Sequence, residues 1–207
     1  MPFKKLMWFM LSMVKESSQN ALERFFPKIK EAVHMSQQAF SLARQKVKWE
    51  AFRELFQASV QGSYHETIKD WRGYLLMAID GSHISLPPDG ALREYYGAVG
   101  HELSAATARA SVLYDIENDI IVDARIEPLT VDERSLAKEH LEALGGMGPD
   151  LRERKPIVIC DRGYPSKDFV TYLQDKEIKY VMRVQKRFNP RIDRMRSGSK
   201  NIKLSEG

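Results

Sequence analysis

Cysteine occurs once in the 207 residues, as Cys160. A single thiol forms no intrachain disulfide and cannot build a multi-cysteine zinc site, and it suits a reducing, cytoplasmic setting. Long apolar runs are also missing. The stretch Leu6 to Val14, after Lys4-Lys5, falls short of the about 18 residues that a membrane span requires. It has the charge and order of a secretory signal, but Lys15-Glu16-Ser17-Ser18-Gln19 offers no small-residue cleavage pattern, so the run reads as a first helix. Internal repeats and low-complexity tracts are absent. His101-Glu102 lacks the second histidine of a zinc-protease motif, and no Gly-x-Ser-x-Gly elbow, Walker A loop or dinucleotide glycine fingerprint occurs. The formal charge of +4 permits a polyanionic partner without arguing for one by itself. What remains, 43% apolar and 29% charged, is the composition of a globular chain able to bury a real core.

The order of the chain is helical first and mixed afterwards. From Met1 to about Arg72 apolar residues recur every three or four positions, as in Val47, Ala51, Leu55, Phe56 and Val60, which predicts two to four helices. Pro27 is a candidate helix start and Gly62-Ser63 a candidate stop. Basic residues including Lys28, Lys30, Arg44, Lys46, Lys48 and Arg53 suit a solvated helix face or a DNA-facing one. At Gly73 the period becomes extended, and a domain boundary is expected there. Arg109 to Ile116 and Ile120 to Ile126 alternate around Glu117-Asn118, the pattern of a β-hairpin with Ala110, Val112, Tyr114 and Ile116 on its apolar face. Asp115, Asp119 and Asp123 then fall on the solvent side or in the turn. Thr130-Val131-Asp132-Glu133 has the form of a capping box before a helix carrying Leu136, Ala137, His140, Leu141 and Leu144, with His140 as a packed histidine. Ile157 to Cys160 reads as a central strand buried on both faces. Ser166 caps another helix, and Lys179 to Val184 a last strand. The fold class is α/β, a mixed sheet with flanking helices behind an all-α amino-terminal region.

Two strands end in acids. Gly73 to Ile79 runs into Asp80-Gly81-Ser82, and Ile157 to Cys160 into Asp161-Arg162-Gly163-Tyr164. If the strands are parallel neighbours, both carboxylates emerge at one sheet edge, where open α/β sheets place their sites. Close carboxylates repel, and a hard cation such as Mg2+ or Mn2+ relieves the repulsion while keeping positions open for water and phosphate. Arg162 is a candidate phosphate contact or a partner in a structural ion pair. Two plain turn aspartates fit the same spacing.

Ala78-Ile79-Asp80-Gly81-Ser82, Arg109 to Asp115, Glu133-Arg134 through His140-Leu141, and Ile159-Cys160-Asp161-Arg162-Gly163-Tyr164-Pro165-Ser166 together resemble, in order, bacterial DDE insertion-sequence transposases of the IS-four type. The resemblance spans roughly residues 45–189. It implies a ribonuclease H-like core in residues 73–187 and divalent metal on Asp80 and Asp161 as the first two catalytic acids. It further implies terminal inverted repeats of double-stranded DNA as partner, bound by a helical domain in residues 1–72. A homodimer on that DNA is compatible with it. The family's third acid lies in a Tyr-x2-Arg-x3-Glu-x6-Lys signature beyond a β-rich insertion, whose opening is expected in residues 188–207. Tyr180 and Arg183 start such a pattern, but Arg187 and Arg194 occupy its glutamate and lysine positions, and neither Glu177 nor Glu206 substitutes. The expectation is therefore a transposase chain without its third acid. The alternatives are a non-catalytic DNA-binding remnant or another ribonuclease H-like nuclease whose remaining acid lies within these residues.

Overall fold

The structure is a computed structural model that describes residues 1–13, 16–29, 35–64, 68–100, 105–147 and 154–195. The expectations placed on Lys30, His101, Glu102 and Glu206 lie outside the described residues. Two compact units divide the chain, Met1–Ser59 and Val60–Gly207.

The first unit is helical. It contains α1 (Phe3–Ser12), α2 (Ser18–Lys28), α3 (Gln37–Arg44) and most of α4 (Glu50–Tyr64). Ser17 and Ser36 cap α2 and α3, their side chains accepting from the N–H groups of Asn20 and Ala39. Pro27 does not open a helix. It sits in the last turn of α2, which ends one residue later at Lys28. The core is aromatic: Phe9 packs edge-to-face on Phe25 at 5.1 Å and on Phe40 at 4.9 Å, with Leu6, Leu22 and Phe26 around them.

The second unit is built on five strands, β1 (Tyr74–Ser85), β2 (Thr107–Asp115), β3 (Ile120–Glu127), β4 (Lys155–Cys160) and β5 (Lys179–Met182). Their order in the sheet is β3-β2-β1-β4-β5. β1, β2 and β3 form an antiparallel meander, whereas β4 joins β1, and β5 joins β4, in parallel. Helices α5 (Gly90–Tyr96), α6 (Glu133–Gly146), α7 (Lys167–Asp175) and α8 (Pro190–Asp193) complete the described elements. This is the mixed sheet with flanking helices expected from the sequence, with the parallel half reached through the α6 and α7 crossovers.

One face of the sheet is sealed. Leu75, Met77 and Ile79 of β1 alternate inward beside Leu113, Val158 and Cys160, under Leu136, Ala137 and Leu141 of α6 and Phe169 and Leu173 of α7. The hairpin is present and Val122 of β3 is buried, but the buried face of β2 is the opposite of the expected one. Ser111, Leu113 and Asp115 are 1%, 0% and 0% exposed, while Ala110, Val112 and Tyr114 are only half-buried and Ile116 is exposed. Polar residues hold this face because each finds a partner there. Asp115 accepts the Tyr64 hydroxyl at 2.6 Å and the Asn118 side-chain amide at 2.9 Å. β4 is likewise sealed on one face only, with Ile157 and Ile159 half-buried on the other. The segment expected to open a β-rich insertion contains, as far as Met195, the single-turn helix α8.

Candidate functional site

Asp80 does not end its strand. β1 continues to Ser85, but Asp80 marks the point where burial stops and where pairing with β4 stops, since Ile79 faces Cys160 in the last parallel step. One step further along both strands, Asp80 and Asp161 occupy matching positions. Both are exposed. Each is fixed locally by the glycine that follows: Gly81 N–H donates to Asp80 Oδ1 at 2.9 Å, and Gly163 N–H donates to Asp161 Oδ1 at 2.7 Å. One oxygen of each carboxylate is thereby oriented by backbone.

A third acid enters from α6. Thr130 is not the cap of this helix. Asp132 is, accepting from the N–H groups of Arg134 and Ser135 at 3.0 and 3.3 Å. Glu133 is therefore the first helical residue, and its carboxylate does not fold back onto the helix end as a capping box requires. It accepts from Arg109 Nη1 of β2 at 2.8 Å. Its side chain lies between the two glycines: a Cβ on Gly81 would stand 3.4 Å from Glu133 Cγ, and one on Gly163 would stand 3.6 Å from Glu133 Oε2 and 3.1 Å from Asp161 Oδ1. The sequence offered Glu133 as a helix-start signal and as part of a stretch resembling the family, and neither placed it beside the two aspartates.

Tyr164 lies beneath these acids. It is 1% exposed, and its hydroxyl has no hydrogen-bond partner among the described residues. Burial, followed by the negative charges of Glu133, Cys160, Asp80 and Asp161, raises its pKa and keeps its proton on. Cys160, the last residue of β4, is pushed up to about 12 by burial and by the charge of Asp161, so it is an inert thiol. Among the described residues, no three His, Cys, Asp or Glu side chains are gathered closely enough to hold a metal ion as they stand.

A second polar chain runs under the same strand. His140 Nδ1 donates to Asp123 Oδ2 at 2.7 Å, and its Nε2 meets Ser111 Oγ at 3.0 Å. Ser111 Oγ in turn lies 3.4 Å from the Asp80 carbonyl oxygen. Burial pushes the Asp123 carboxyl up, but His140 and Arg125 outweigh it and leave the group below the usual carboxylate range. Asp123 is thus not a solvent-side residue. It anchors α6 to the sheet. Serine, histidine and aspartate stand in the order of a nucleophilic relay, but His140 is 0% exposed and no substrate carbonyl reaches Ser111. The packed role expected for His140 is the one observed.

Arg162 is exposed, and its side chain makes no ion pair among the described residues. It borders a shallow depression of about 230 Å³ together with Pro165, Gln185, Lys186, Arg187 and Phe188. Three cations therefore rim the surface next to Asp161.

The family described as Transposase DDE domain matches residues 71–206. The Escherichia coli (strain K12) protein InsZ, which carries a transposase name, is 28% identical over 148 residues. The match takes in 69% of this chain and 47% of InsZ, so the chain spans about half the length of that relative. Among solved structures, a cryo-EM synaptic complex of piggyBac transposase with hairpin DNA is similar at 14% identity and a TM-score of 0.42, over 96% of this chain and 41% of that one.

Proposed function

Because the chain belongs to the family of transposase DDE domains, we propose that it serves DNA transposition by metal-dependent phosphoryl transfer, with Asp80 and Asp161 as its metal-binding acids. The observation that carries this reading is the parallel register of β1 and β4, which brings two sequence-distant carboxylates to matching positions at one sheet edge. Oxygen-only donors, each with one oxygen tethered by a glycine N–H, suit Mg2+ or Mn2+. The buried, unpartnered hydroxyl of Tyr164 beneath them adds a further oxygen that folding alone leaves unused. When bound, such an ion neutralises phosphate charge and makes water or a hydroxyl a better nucleophile.

The residues of the chain itself hold and orient. The tethered carboxylates keep their free oxygens directed outward. Arg162, with Lys186 and Arg187 beside it, supplies cations for DNA phosphates. Within this reading the helical residues 1–72 bind the element's terminal inverted repeats in the cytoplasm, two copies meet on the DNA, residues 73–187 form the catalytic core, and residues 188–207 begin a further insertion.

The Tyr-x2-Arg-x3-Glu-x6-Lys signature does not occur in these 207 residues. The chain alone is therefore expected to bind element ends without joining them. Gel shifts with a terminal inverted repeat across a salt series, paired with a Mg2+ cleavage assay, test this. Retarded DNA whose affinity falls steeply with salt, with no joined product, is the expected result. Strong Mg2+-dependent joining by this chain, or equal affinity for unrelated DNA, overturns it.

A further inference from the structure

Resting on the reading of Asp80 and Asp161 as metal-binding acids, we infer that Glu133 is a third carboxylate of that site, parked on Arg109 until a divalent cation draws it across. Four observations converge on it. Glu133 is the first residue of α6, and the cap that would have engaged it is supplied by Asp132 instead, so its side chain is free to face the sheet. Its Cγ and Oε2 stand 3.4 and 3.6 Å from where Cβ atoms on Gly81 and Gly163 would be, which sets the side chain beside the two residues that tether Asp80 and Asp161. The Tyr164 hydroxyl is buried and without a partner among the described residues, and the charges of Glu133, Asp80 and Asp161 all act on it. Arg109 is the only charged partner Glu133 has among the described residues, and Arg109 Nε is itself buried without an acceptor. The pair is thus an incompletely satisfied hold, of the kind a divalent ion displaces.

Among the described residues no three acids are gathered tightly enough to enclose an ion as they stand, so the ion would have to draw the Glu133 carboxylate off Arg109. Rotation of one flexible side chain moves the Glu133 carboxylate from the Arg109 guanidinium toward Asp161, whose Oδ1 already shares the Gly163 neighbourhood with Glu133 Oε2. A glutamate suits this task better than an aspartate because its additional methylene spans the gap from the helix end. The site would then be a hard, all-oxygen cage for Mg2+ or Mn2+ with positions left open for water or phosphate.

The test is Mn2+ titration of the full 207-residue chain by calorimetry in metal-free buffer, with circular dichroism and melting temperature as controls. Wild-type protein is expected to bind Mn2+ saturably and to melt higher with it. Glu133→Gln is expected to keep the fold, weaken Mn2+ binding by about tenfold or more, and lose most of the Mn2+-induced rise in melting temperature. Asp80→Asn is expected to weaken binding at least as much. Wild-type affinity in Glu133→Gln, alongside lost affinity in Asp80→Asn, overturns the inference and leaves the two-aspartate reading standing. No saturable binding by wild type, or an undiminished affinity in Asp80→Asn, overturns both. Should Glu133→Gln fail to fold, Glu133→Asp keeps the helix-end charge and shortens the reach by one methylene. Weakened Mn2+ binding in that variant supports the inference, and unchanged binding overturns it.

Discussion

The start and the middle of α6 both carry polar side chains, and these do opposite things. At its start, Glu133 joins Asp80 and Asp161 on an exposed corner where the Tyr164 hydroxyl and Arg109 Nε lack partners. Two turns later, His140 binds Asp123 on one side and Ser111 on the other, with the imidazole sealed from solvent. The buried middle has the residue types of a nucleophilic relay, yet it is dry, saturated and sealed. The exposed start has only acids, an arginine and a phenol, yet it is open and unfinished. Satisfaction of hydrogen bonds, more than residue type, separates a structural polar chain from a reactive corner.

Breaking each group should separate stability from metal binding. The largest loss is expected for His140→Ala, which leaves Asp123 and Ser111 unpaired and opens a void beneath β2. Urea unfolding should show about 3 kcal/mol lost. Asp80→Asn or Asp161→Asn should do the converse, weakening Mn2+ binding on the order of 100-fold while unfolding within about 0.5 kcal/mol of wild type. Asp123→Asn sharpens the buried side through pH. A carboxyl held below its ordinary pKa in the fold contributes stability above its unfolded pKa of about 4, and that contribution vanishes as pH falls through the folded value. The variant should therefore lose about 1–2 kcal/mol at pH 7, and the gap from wild type should narrow as the pH falls below that unfolded value, read from urea curves along a pH series. Gly163→Ala places a methyl 3.1 Å from Asp161 Oδ1. It should reduce Mn2+ affinity by about 3- to 10-fold with under about 1 kcal/mol of instability. Arg162→Ala should leave folding and Mn2+ binding unchanged and make the salt dependence of DNA affinity shallower by about one unit of slope, measured by gel shift.

The same contrast explains what the sequence disclosed. Strand and helix periodicity located the hairpin, α6, α7 and the parallel pair, because apolar spacing reports burial directly. Two buried runs ending in acids raised the parallel register of Asp80 and Asp161 only as a condition, which the pairing of β1 with β4 meets. The inward face of the hairpin was not legible, since Ser111 and Asp115 look like solvent residues until Tyr64, Asn118 and His140 are seen to bind them. Glu133 was hidden for a related reason. Thr130 and Glu133 have the spacing of a reciprocal cap, and only the dihedral angles at Asp132 shift the helix start and release the glutamate. Pairings that depend on partners distant in sequence carry no local signature.

The parallel pairing of β1 with β4 also orders events during folding. β2 and β3 close through a tight turn and β1 joins β2 across the α5 connection, whereas Asp80 meets Asp161 only after the chain through α6 has been made and β4 has docked. Long-range parallel pairing pays its closure entropy last. As synthesis proceeds from the amino terminus, the acids remain apart on a nascent chain that already holds its helical unit and its hairpin. The corner that would handle phosphodiesters assembles late, as a check that most of the sheet is in place.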